Sequence, residues 1–496
     1  MSQSGNLRIA VLGAGVSGIC MGVQLKQAGF HNFTIFEKAD RVGGTWRENT
    51  YPGVSCDVPS HLYSFSFKRN PDWPRQYSGG ADIQAYCEDV SRHFKLAPHI
   101  AFNRPVSEAR YEKNGWQLTF ADGSQDYFDV VVSALGGLHN PSFPDIKGMD
   151  SFAGETFHTA NWNHDIDLTD KKVVMIGNAA SAVQAIPQIA DKVASLDVFQ
   201  RTPNWLLNRS NSEFSGLKKW LMRKIPLLSL LERWRIYLWA ELIFHPAFRQ
   251  NSFMQKALRR RSLNYIRNHV QDPALLEKLI PDYPLGCKRV LFVDGYLEAL
   301  QKPQVSLVTD AIDHITAQGV VDAKGSLHAA DVLIYATGFM PFNFLNYFSV
   351  TGPGGVQLAD HWAEKVQSHR TLAVSGFPNF FMLLGPNSGL GHNSVILMIE
   401  AQVGYIVKCL QQMTRRNMPY LDPKPENQQA FNQTIQARLT GSVWDGSCSS
   451  WYKSDVGQNY TIWPFSATRY ILEMRNPDFS EFNDGSNTSD QLDAAE

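Results

Sequence analysis

The chain has 496 residues, of which 44% are hydrophobic and 19% are charged, and its formal net charge is -1. A chain of this length usually folds into more than one domain, since domains of about 100–200 residues are the norm. The near-zero net charge argues against a nucleic-acid-binding protein at the level of the whole chain.

The six cysteines are far apart in the sequence and include no CxxC pair. We therefore expect neither a zinc site nor a disulfide framework nor the redox-active cysteine pair of a disulfide reductase. No basic, apolar leader precedes the first predicted strand, and the most apolar long segment, 225–248, contains four charged side chains. A signal peptide and a membrane-spanning helix are therefore not expected, and the predicted location is cytoplasmic.

The first predicted unit is a strand over 7–12, the glycine-rich turn GAGVSG, a helix over 16–28 and a second strand, FTIFEK. The turn glycines allow a tight bend, close approach of the backbone to a pyrophosphate and close packing of helix on strand. The unit is therefore predicted to be a Rossmann-like dinucleotide site, with phosphate-binding residues Gly13, Gly15 and Gly18.

Glu37 ends the second strand of this unit. A carboxylate at that point can accept hydrogen bonds from ribose hydroxyls and would repel a 2′-phosphate, so the first site is predicted to bind FAD rather than NADP. The segment GGTWRENTYPGVSCD follows and ends at Asp57, which by itself reads as an ordinary turn residue.

The second predicted unit begins with the strand KKVVMIG at 171–177 and continues into a helix through Ala190, with Ser181 in the first turn of that helix. Gly177 keeps the first glycine of the phosphate-binding pattern, whereas Ala179 replaces the second. The added methyl group lies where the backbone should approach a pyrophosphate, which predicts weaker or shifted binding of the nucleotide.

The strand after this helix ends in QRTPN, at Arg201 and Thr202, and not in an acidic residue. Arginine binds phosphate through paired, charge-assisted hydrogen bonds, so this ending favours NADPH over NADH. The alternative is a solvated surface arginine.

A helix-like stretch over 211–284 interrupts the second unit. Its apolar content exceeds one helical face, so we expect it to cover a pocket or a partner. A basic amphipathic contact with a membrane around Lys218–Arg223 is the alternative interpretation.

The sequences GCKR at 286–289, DVLIYATGF at 331–339 and SSWY around Trp451 follow later in the chain. The second is a predicted strand that returns the chain to the first domain, and GPN at 385–387 with GLG at 389–391 is predicted to open the next helix. Taken alone, a Lys-Arg pair is most often solvated. Trp451 is equally consistent with a functional residue and with an ordinary packing residue.

The segment FAGETFHTANWNHD at 152–165 lies between the two units and resembles the FxGxxxHxxxW[P/D] fingerprint of Type I Baeyer–Villiger monooxygenases, the family of the cyclohexanone and 4-hydroxyacetophenone monooxygenases. The matching residues are Phe152, Gly154, His158 and Trp162. Asn163 departs from the pattern, where the family has Pro or Asp. Flavin monooxygenases that oxidise sulfur or nitrogen place Tyr or Phe where this chain has Trp162, so that residue favours the Baeyer–Villiger branch.

The resemblance implies an enzyme that uses FAD, NADPH and O2 to convert ketones to esters or lactones through a C4a-peroxyflavin. It implies that Arg289, oriented by Asp57, is catalytic, that Lys288 helps to hold the 2′-phosphate, and that His158 lies on the interdomain linker as a hinge or relay residue. It also implies further cofactor-binding residues: Gly44, Thr45, Trp46, Asp57, Tyr63 and Trp451.

The predicted fold class is α/β, with two Rossmann-like dinucleotide-binding domains, for FAD and NADP, and a helical insertion. The predicted boundaries are 1–146 and 336–496 for the FAD-binding domain, 147–210 with 285–335 for the linker and NADP-binding domain, and 211–284 for the insertion. The small-molecule substrate is a ketone or sulfide. The alternatives are an S- or N-oxygenating flavin monooxygenase and a flavoprotein that oxidises NADPH without oxygenating a substrate.

Overall fold

The computed structural model describes residues 7–138, 140–340, 348–445, 450, 452–453 and 457–485. Within these residues the strands, in chain order, are β1 (Ile9–Leu12), β2 (Phe33–Phe36), β3 (Ile100–Ala101), β4 (Val106–Glu112), β5 (Gly115–Phe120), β6 (Gln125–Phe128), β7 (Val130–Ser133), β8 (Glu155–His158), β9 (Lys172–Ile176), β10 (Ser195–Phe199), β11 (Leu206–Asn208), β12 (Leu291–Val293), β13 (Val305–Val308), β14 (Ile312–Thr316), β15 (Gly319–Asp322), β16 (Leu327–Ala329), β17 (Val332–Tyr335), β18 (Ser349–Thr351), β19 (Phe380–Met382), β20 (Asp422–Pro423) and β21 (Phe482–Asn483).

The α-helices of the same residues are α1 (Val16–Gln27), α2 (Thr45–Glu48), α3 (Gly80–His93), α4 (Ala180–Ile189), α5 (Gly216–Lys224), α6 (Pro226–Trp239), α7 (His245–Ala247), α8 (Phe253–His269), α9 (Pro273–Leu279), α10 (Tyr296–Ala299), α11 (Leu358–His361), α12 (Val395–Arg416), α13 (Pro425–Leu439) and α14 (Ala467–Glu473).

Five parallel strands form the first sheet, in the order β19-β7-β1-β2-β3. Every residue of β1 and β7 is buried, as expected for a parallel sheet that is covered on both faces. Helices α1 and α12 pack together against one face. The sheet β18-β4-β5-β6 covers the other face, through a core that includes Trp116 and Leu118.

The second sheet is also parallel, in the order β13-β10-β9-β17-β8. Helices α4 and α10 cover one face, and the antiparallel sheet β14-β15-β16 covers the other. In each parallel sheet a turn that begins with glycine, Gly13 or Gly177, leads from a central strand, β1 or β9, into a helix, α1 or α4. This arrangement confirms the predicted α/β fold class with two dinucleotide-type units.

The predicted element ends differ from the observed ones by a few residues. The first strand begins at Ile9 and not at 7, and the helix expected directly after Gly391 begins at Val395. The reason for the later start is the side chain of Ser394, which accepts a hydrogen bond from the Ile396 N–H at 3.3 Å and thereby caps the helix.

The predicted helical insertion contains α5 to α9, between the paired strands β11 and β12. A π-helical turn, Ala240–Phe244, continues α6 into α7. Within the part of the chain that the structure describes, no helix is long and apolar enough to cross a membrane.

Candidate active site

The first glycine-rich turn leaves the N-terminus of α1 open. Gly15 is the N-cap of this helix and provides no side-chain hydrogen bond to the first turn. A Cβ atom at Gly18 would lie 1.8 Å from the Gly13 carbonyl oxygen, so only glycine permits this packing of helix on turn. The free N–H groups and the positive end of the helix dipole together suit a pyrophosphate.

Glu37 lies at the end of β2, beside this turn. Its carboxylate accepts a hydrogen bond from the Ala14 N–H at 2.8 Å and pairs with the Arg47 guanidinium at 3.1 Å. Both side chains are at most 7% exposed, so the pair is a fixed part of the site. The structure thus places Glu37 against the turn, where sequence reasoning expected a ribose-binding carboxylate.

The segment after Glu37 folds back over the same turn. The backbone of Gly44 lies against Gly15, since a Cβ atom at Gly44 would be 2.9 Å from the Gly15 Cα. Thr45 begins α2, and the Trp46 indole N–H donates to the Tyr63 hydroxyl at 3.1 Å. Gly44 is therefore brought against the first turn, at the open end of α1.

Asp57 and Arg289 are 232 positions apart in the sequence and form a two-bond ion pair. The Arg289 Nε and Nη2 atoms donate to the two carboxylate oxygens at 2.6 and 2.7 Å. Burial alone would raise the pKa of Asp57, but the charge and hydrogen bonds of Arg289 hold that pKa below its ordinary value. The charge of Asp57 in turn raises the pKa of Arg289. Both groups therefore stay charged at neutral pH.

A second arginine near Asp57 was not identified from the sequence. Arg209 follows β11, is 8% exposed and lies over the Tyr77 ring, with its guanidinium carbon 5.4 Å from the ring centroid. Burial lowers the pKa of Arg209, and the charges of Asp294 and Asp57 act against that shift. In the sequence it is one arginine in a polar turn, and no local pattern distinguishes it from a surface residue.

A pocket opens beside the Asp57–Arg289 pair. Its other walls are mostly apolar and come from the segment after Asp57, Tyr77, the end of the insertion helix α6 with the π-helical turn and Phe248, the residues that follow Arg289 into β12, and the loop before α12. The lining residues are Asp57, Val58, Pro59, Leu62, Tyr77, Ile236, Trp239, Ala240, Phe244, Phe248, Arg289, Val290, Phe292, Leu390, Gly391, His392 and Asn393. The expectation that the insertion covers a pocket agrees with this arrangement.

The insertion is fastened to the first domain through Glu241 of the π-helical turn. This carboxylate accepts hydrogen bonds from His392 Nε2 at 2.9 Å, from Asn393 at 3.0 Å and from the backbone N–H groups of Ala467 and Thr468 at 3.1 and 3.2 Å. Burial opposes its ionisation, but these donors outweigh burial and lower the pKa of Glu241 to about 2. Sequence reasoning did not identify this contact.

We expect Glu241→Gln to lower the free energy of unfolding by about 1–2 kcal/mol, because buried donors lose their charged acceptor. The folded pKa of Glu241, about 2, lies below its ordinary 4.5. The carboxylate therefore stabilises the fold above pH 4.5, and this contribution disappears as the pH falls toward 2. The loss should be full at pH 7 and should shrink below pH 4.5.

Thermal unfolding of both proteins across pH 3–8 measures this difference. Glu473→Gln is the matched control, because Glu473 forms an exposed pair with Arg469 at 2.6 Å on helix α14, whose start Glu241 caps. Equal unfolding temperatures of the wild type and Glu241→Gln at pH 7 would show that the hydrogen bonds of Glu241 contribute nothing to stability.

At the second turn, Gly177 has φ +110 and a Cβ atom there would lie 2.4 Å from the Ala336 carbonyl oxygen. Ala179 is the N-cap of α4, and its φ of -82 is one that any residue adopts. The Ser181 hydroxyl accepts a hydrogen bond from Thr159 at 3.0 Å, which ties α4 to the segment after β8. The start of α4 is thus open, as at the first turn.

Two cations lie together beyond the second turn. Arg201 is exposed, and its charge adds to burial in lowering the pKa of Lys288. The Lys288 Nζ lies 5.0 Å from the centroid of the Tyr283 ring, and the Tyr283 hydroxyl donates to the Pro203 carbonyl at 2.9 Å. Arg201 and Lys288 thus interact electrostatically although they come from separate parts of the chain, and Asp282 also acts on Lys288. Two positive charges favour an anion here.

Asn178 holds this region in shape and was not identified from the sequence. Its side-chain amide donates to Gln200 Oε1 at 2.7 Å and to the Thr202 carbonyl at 2.9 Å, and Asn204 donates back to the Asn178 carbonyl at 2.7 Å. The second turn and the QRTPN segment are thus one hydrogen-bonded unit.

His158 does not lie on a linker. It is the last residue of β8, an edge strand of the second sheet, and it is 2% exposed. Its Nδ1 accepts a hydrogen bond from the Ala160 N–H at 3.0 Å, and burial lowers its pKa to about 4, so the ring is neutral. Trp162 packs edge-on against Phe157 at 5.0 Å in the core of the second domain. Trp162 is therefore a core residue of the second domain, and His158 is a buried, neutral residue whose ring contacts Phe143 and Phe339.

The remaining motifs give a mixed result. Trp451 lies outside the described residues, but the adjacent Tyr452 is buried and interacts electrostatically with Arg289.

Four cysteines are free and buried: Cys20, Cys56, Cys87 and Cys409. Cys287, two positions before Arg289, is disulfide-bonded, a bond that the wide spacing of the cysteines did not predict.

The family model of pyridine nucleotide-disulphide oxidoreductases matches residues 10–229, which include both glycine-rich turns. Among solved structures, OTEMO in complex with FAD and NADP has a TM-score of 0.85 and 28% sequence identity to this chain. The match covers 95% of this chain and 97% of the OTEMO chain. Cyclohexanone monooxygenase from Rhodococcus sp. Phi1 bound to NADP+ has the same score and identity, with 94% and 96% covered.

Among the curated relatives, a Baeyer–Villiger monooxygenase of Streptomyces coelicolor is 40% identical over 486 residues, which cover 96% of this chain and 92% of that protein. A Baeyer–Villiger monooxygenase of Pseudomonas aeruginosa is 37% identical over 485 residues, with 96% and 91% covered. These matches confirm the resemblance inferred from the fingerprint and the two turns. The chain belongs to the Baeyer–Villiger monooxygenase family.

Proposed function

We propose that this chain converts ketones to esters or lactones with NADPH and O2, and that FAD is its bound cofactor. The observation that carries the proposal is the Asp57–Arg289 pair in the wall of an apolar pocket. Membership of the Baeyer–Villiger monooxygenase family and the FAD and NADP bound in a structurally similar protein support it.

The first turn fits FAD. The uncapped start of α1 has N–H groups for the pyrophosphate, and Glu37, whose negative charge would repel a 2′-phosphate, lies beside it. We propose that the FAD-binding residues are Gly13, Gly15, Gly18, Glu37, Gly44, Thr45, Trp46, Asp57 and Tyr63. When bound and reduced, FAD supplies the activation of O2, which no protein side chain provides.

The second turn and the paired cations fit NADPH. Gly177 and Ser181 lie at the open start of α4. We propose that Arg201, Thr202 and Lys288 hold the 2′-phosphate, which the electrostatic interaction of Arg201 with Lys288 supports. Trp451 is proposed as a further contact to this nucleotide. NADPH and NADH have the same pyrophosphate, so the exposed Ala179 methyl at the start of α4 would affect both alike and would create no preference between them.

The chemistry assigned to this chain's own residues is electrostatic. The Arg289 guanidinium faces the pocket and stabilises negative charge that develops on the substrate oxygen during the reaction. Asp57 holds that guanidinium in one orientation through two hydrogen bonds. The apolar walls exclude water and bind the hydrocarbon part of the ketone.

We also propose a division into three parts: an FAD-binding domain, 1–146 with 336–496; a linker and NADP-binding domain, 147–210 with 285–335; and the insertion, 211–284. The proposed location is cytoplasmic. The first sheet draws on residues 9–133 and 380–382, and the second on 155–335, which supports that division.

The proposal is tested with purified, flavin-loaded protein, NADPH and a panel of linear, cyclic and aryl ketones. We expect ester or lactone in near-equal amount to the NADPH consumed, with little hydrogen peroxide. Sulfoxide from a thioether, with every ketone unchanged, would favour the S-oxygenating alternative. Hydrogen peroxide equal to the NADPH consumed, with no oxygenated product, would favour the uncoupled flavoprotein.

A further inference from the structure

Most of the exposed large apolar side chains of the described residues lie on the insertion. Eleven of the 17 lie between residues 217 and 253, including Trp220 at 49%, Leu231 at 54% and Trp234 at 52% exposed. Soluble monomers rarely expose a contiguous apolar patch of this kind, and such patches mark interaction sites.

Helix α6 faces outward with its apolar side. Its exposed residues Leu227, Leu230, Leu231, Trp234 and Leu238 follow the spacing i, i+3, i+4, i+7 and i+11, which is one face of an α-helix. A surface helix normally buries that face. Here the opposite face is buried instead, through residues Ser229, Arg233, Ile236 and Tyr237.

The outward orientation is fixed by Arg233. Its Nη1 atom donates to the backbone carbonyls of His61, Leu62 and Ser64 at 3.2, 3.1 and 2.7 Å. A rotation of α6 that buried the leucines would break these bonds and leave three buried carbonyls without their donor. The apolar stripe is therefore held toward the outside.

The charge around this stripe is positive. Residues 216–242 contain six Lys and Arg and two Glu, a formal charge of +4 in a chain of net charge -1, although one of the six, Arg233, is buried. At the end of α5, Lys224 and Arg223 are exposed beside the start of the stripe, and Arg223 also pairs with Asp72. Of the two glutamates, Glu241 already accepts five hydrogen bonds and Glu232 pairs with Arg235.

We propose that the exposed α5–α6 surface binds an anionic phospholipid bilayer in the plane of its headgroups. Leucine and tryptophan enter the boundary between headgroup and acyl chain, and the lysines and arginines pair with anionic lipid. A second copy of the chain fits less well, because a two-fold contact through this surface would bring positive charge against positive charge. Exposed leucines also do not suit a nucleic acid.

This surface is continuous with the active-site pocket. Trp239 lies at the end of α6, is 40% exposed and also lines the pocket beside Asp57 and Arg289. A docked bilayer would therefore face the mouth of the pocket, where apolar molecules dissolved in the membrane could enter. The binding itself does not depend on the substrate and can be measured without turnover.

The test is co-sedimentation of the flavin-loaded protein with sucrose-filled vesicles of phosphatidylcholine, with or without 30% phosphatidylglycerol, in low and high salt. We expect binding to the anionic vesicles in low salt, at least ten-fold weaker binding to the neutral ones, and weaker binding in high salt. The triple variant Leu231→Ser, Trp234→Ser and Leu238→Ser should bind anionic vesicles at least ten-fold less.

The matched control is Leu327→Ser with Leu472→Ser, since these side chains are 47% and 61% exposed but lie outside the insertion. Flavin content and the unfolding midpoint establish that each variant is folded. Absence of binding by the wild type, or equal binding by wild type and triple variant, would overturn the proposal. A wild-type dimer in gel filtration that the triple variant makes monomeric would also overturn it, in favour of a second copy of the chain.

Discussion

Arg289→Ala is expected to lower the rate of ester formation by about 100-fold or more, while FAD stays bound and NADPH is still oxidised. A single preorganised positive group at a developing oxyanion contributes an effect of this size. Because Arg289 belongs to neither the first nor the second turn, the substitution should lower the amount of ester formed and leave cofactor binding unchanged. The electrons from NADPH should then appear as hydrogen peroxide.

The comparison needs two further variants. Arg289→Lys keeps the charge but not the two-bond geometry to Asp57, so it should recover part of the activity only. Arg110→Ala removes an exposed arginine that pairs with Glu108 on β4, and it should leave the activity at the wild-type level. Ester yield from Arg289→Ala equal to that of the wild type would remove this residue from the mechanism.

Arg201→Ala should reduce the preference for NADPH over NADH by about 1.5–3 kcal/mol, the usual contribution of hydrogen bonds to a charged group. The effect should appear as a higher KM for NADPH, because the 2′-phosphate is remote from the reacting carbon. Turnover with NADH should change little, since NADH has no phosphate to lose. Steady-state kinetics with both nucleotides, for wild type and variant, measure the difference.

Lys192→Ala is the matched control, because Lys192 is an exposed cation of the same domain, between α4 and β10, and is not part of the proposed clamp. Lys288→Ala should act in the same direction as Arg201→Ala, and the two should not add fully, since they hold one phosphate. Equal KM values for NADPH and NADH in the wild type would show that no clamp forms.

Local sequence patterns predicted the two nucleotide-binding units well. Each unit is a short-range pattern: a buried strand, then a glycine (Gly13 or Gly177), then a helix. The structure has both units in the predicted places. The Asp57–Arg289 pair joins positions 232 apart, and it was expected only through the resemblance to a known family. Spacing in the sequence carries no information about such a contact.

Contacts of the insertion were not predictable in the same way. Glu241 meets His392 and the start of α14, and Arg233 fixes which side of α6 faces outward. Both depend on how the insertion packs on the first domain, and the apolar pattern of α6 by itself would assign its leucines to a core. His158 was misplaced for a related reason, since edge strand β8 forms only by pairing with β17, which comes 177 positions later (332 minus 155).

Turnover of a ketone with NADPH under ¹⁸O2, followed by mass spectrometry of the product, tests whether this chain inserts one oxygen atom of O2 into a ketone. We predict an ester or lactone with one ¹⁸O atom at the bridging oxygen and an unlabelled carbonyl, together with one labelled water for each NADPH consumed. Unlabelled product, or hydrogen peroxide as the sole product of NADPH oxidation, would contradict the assignment.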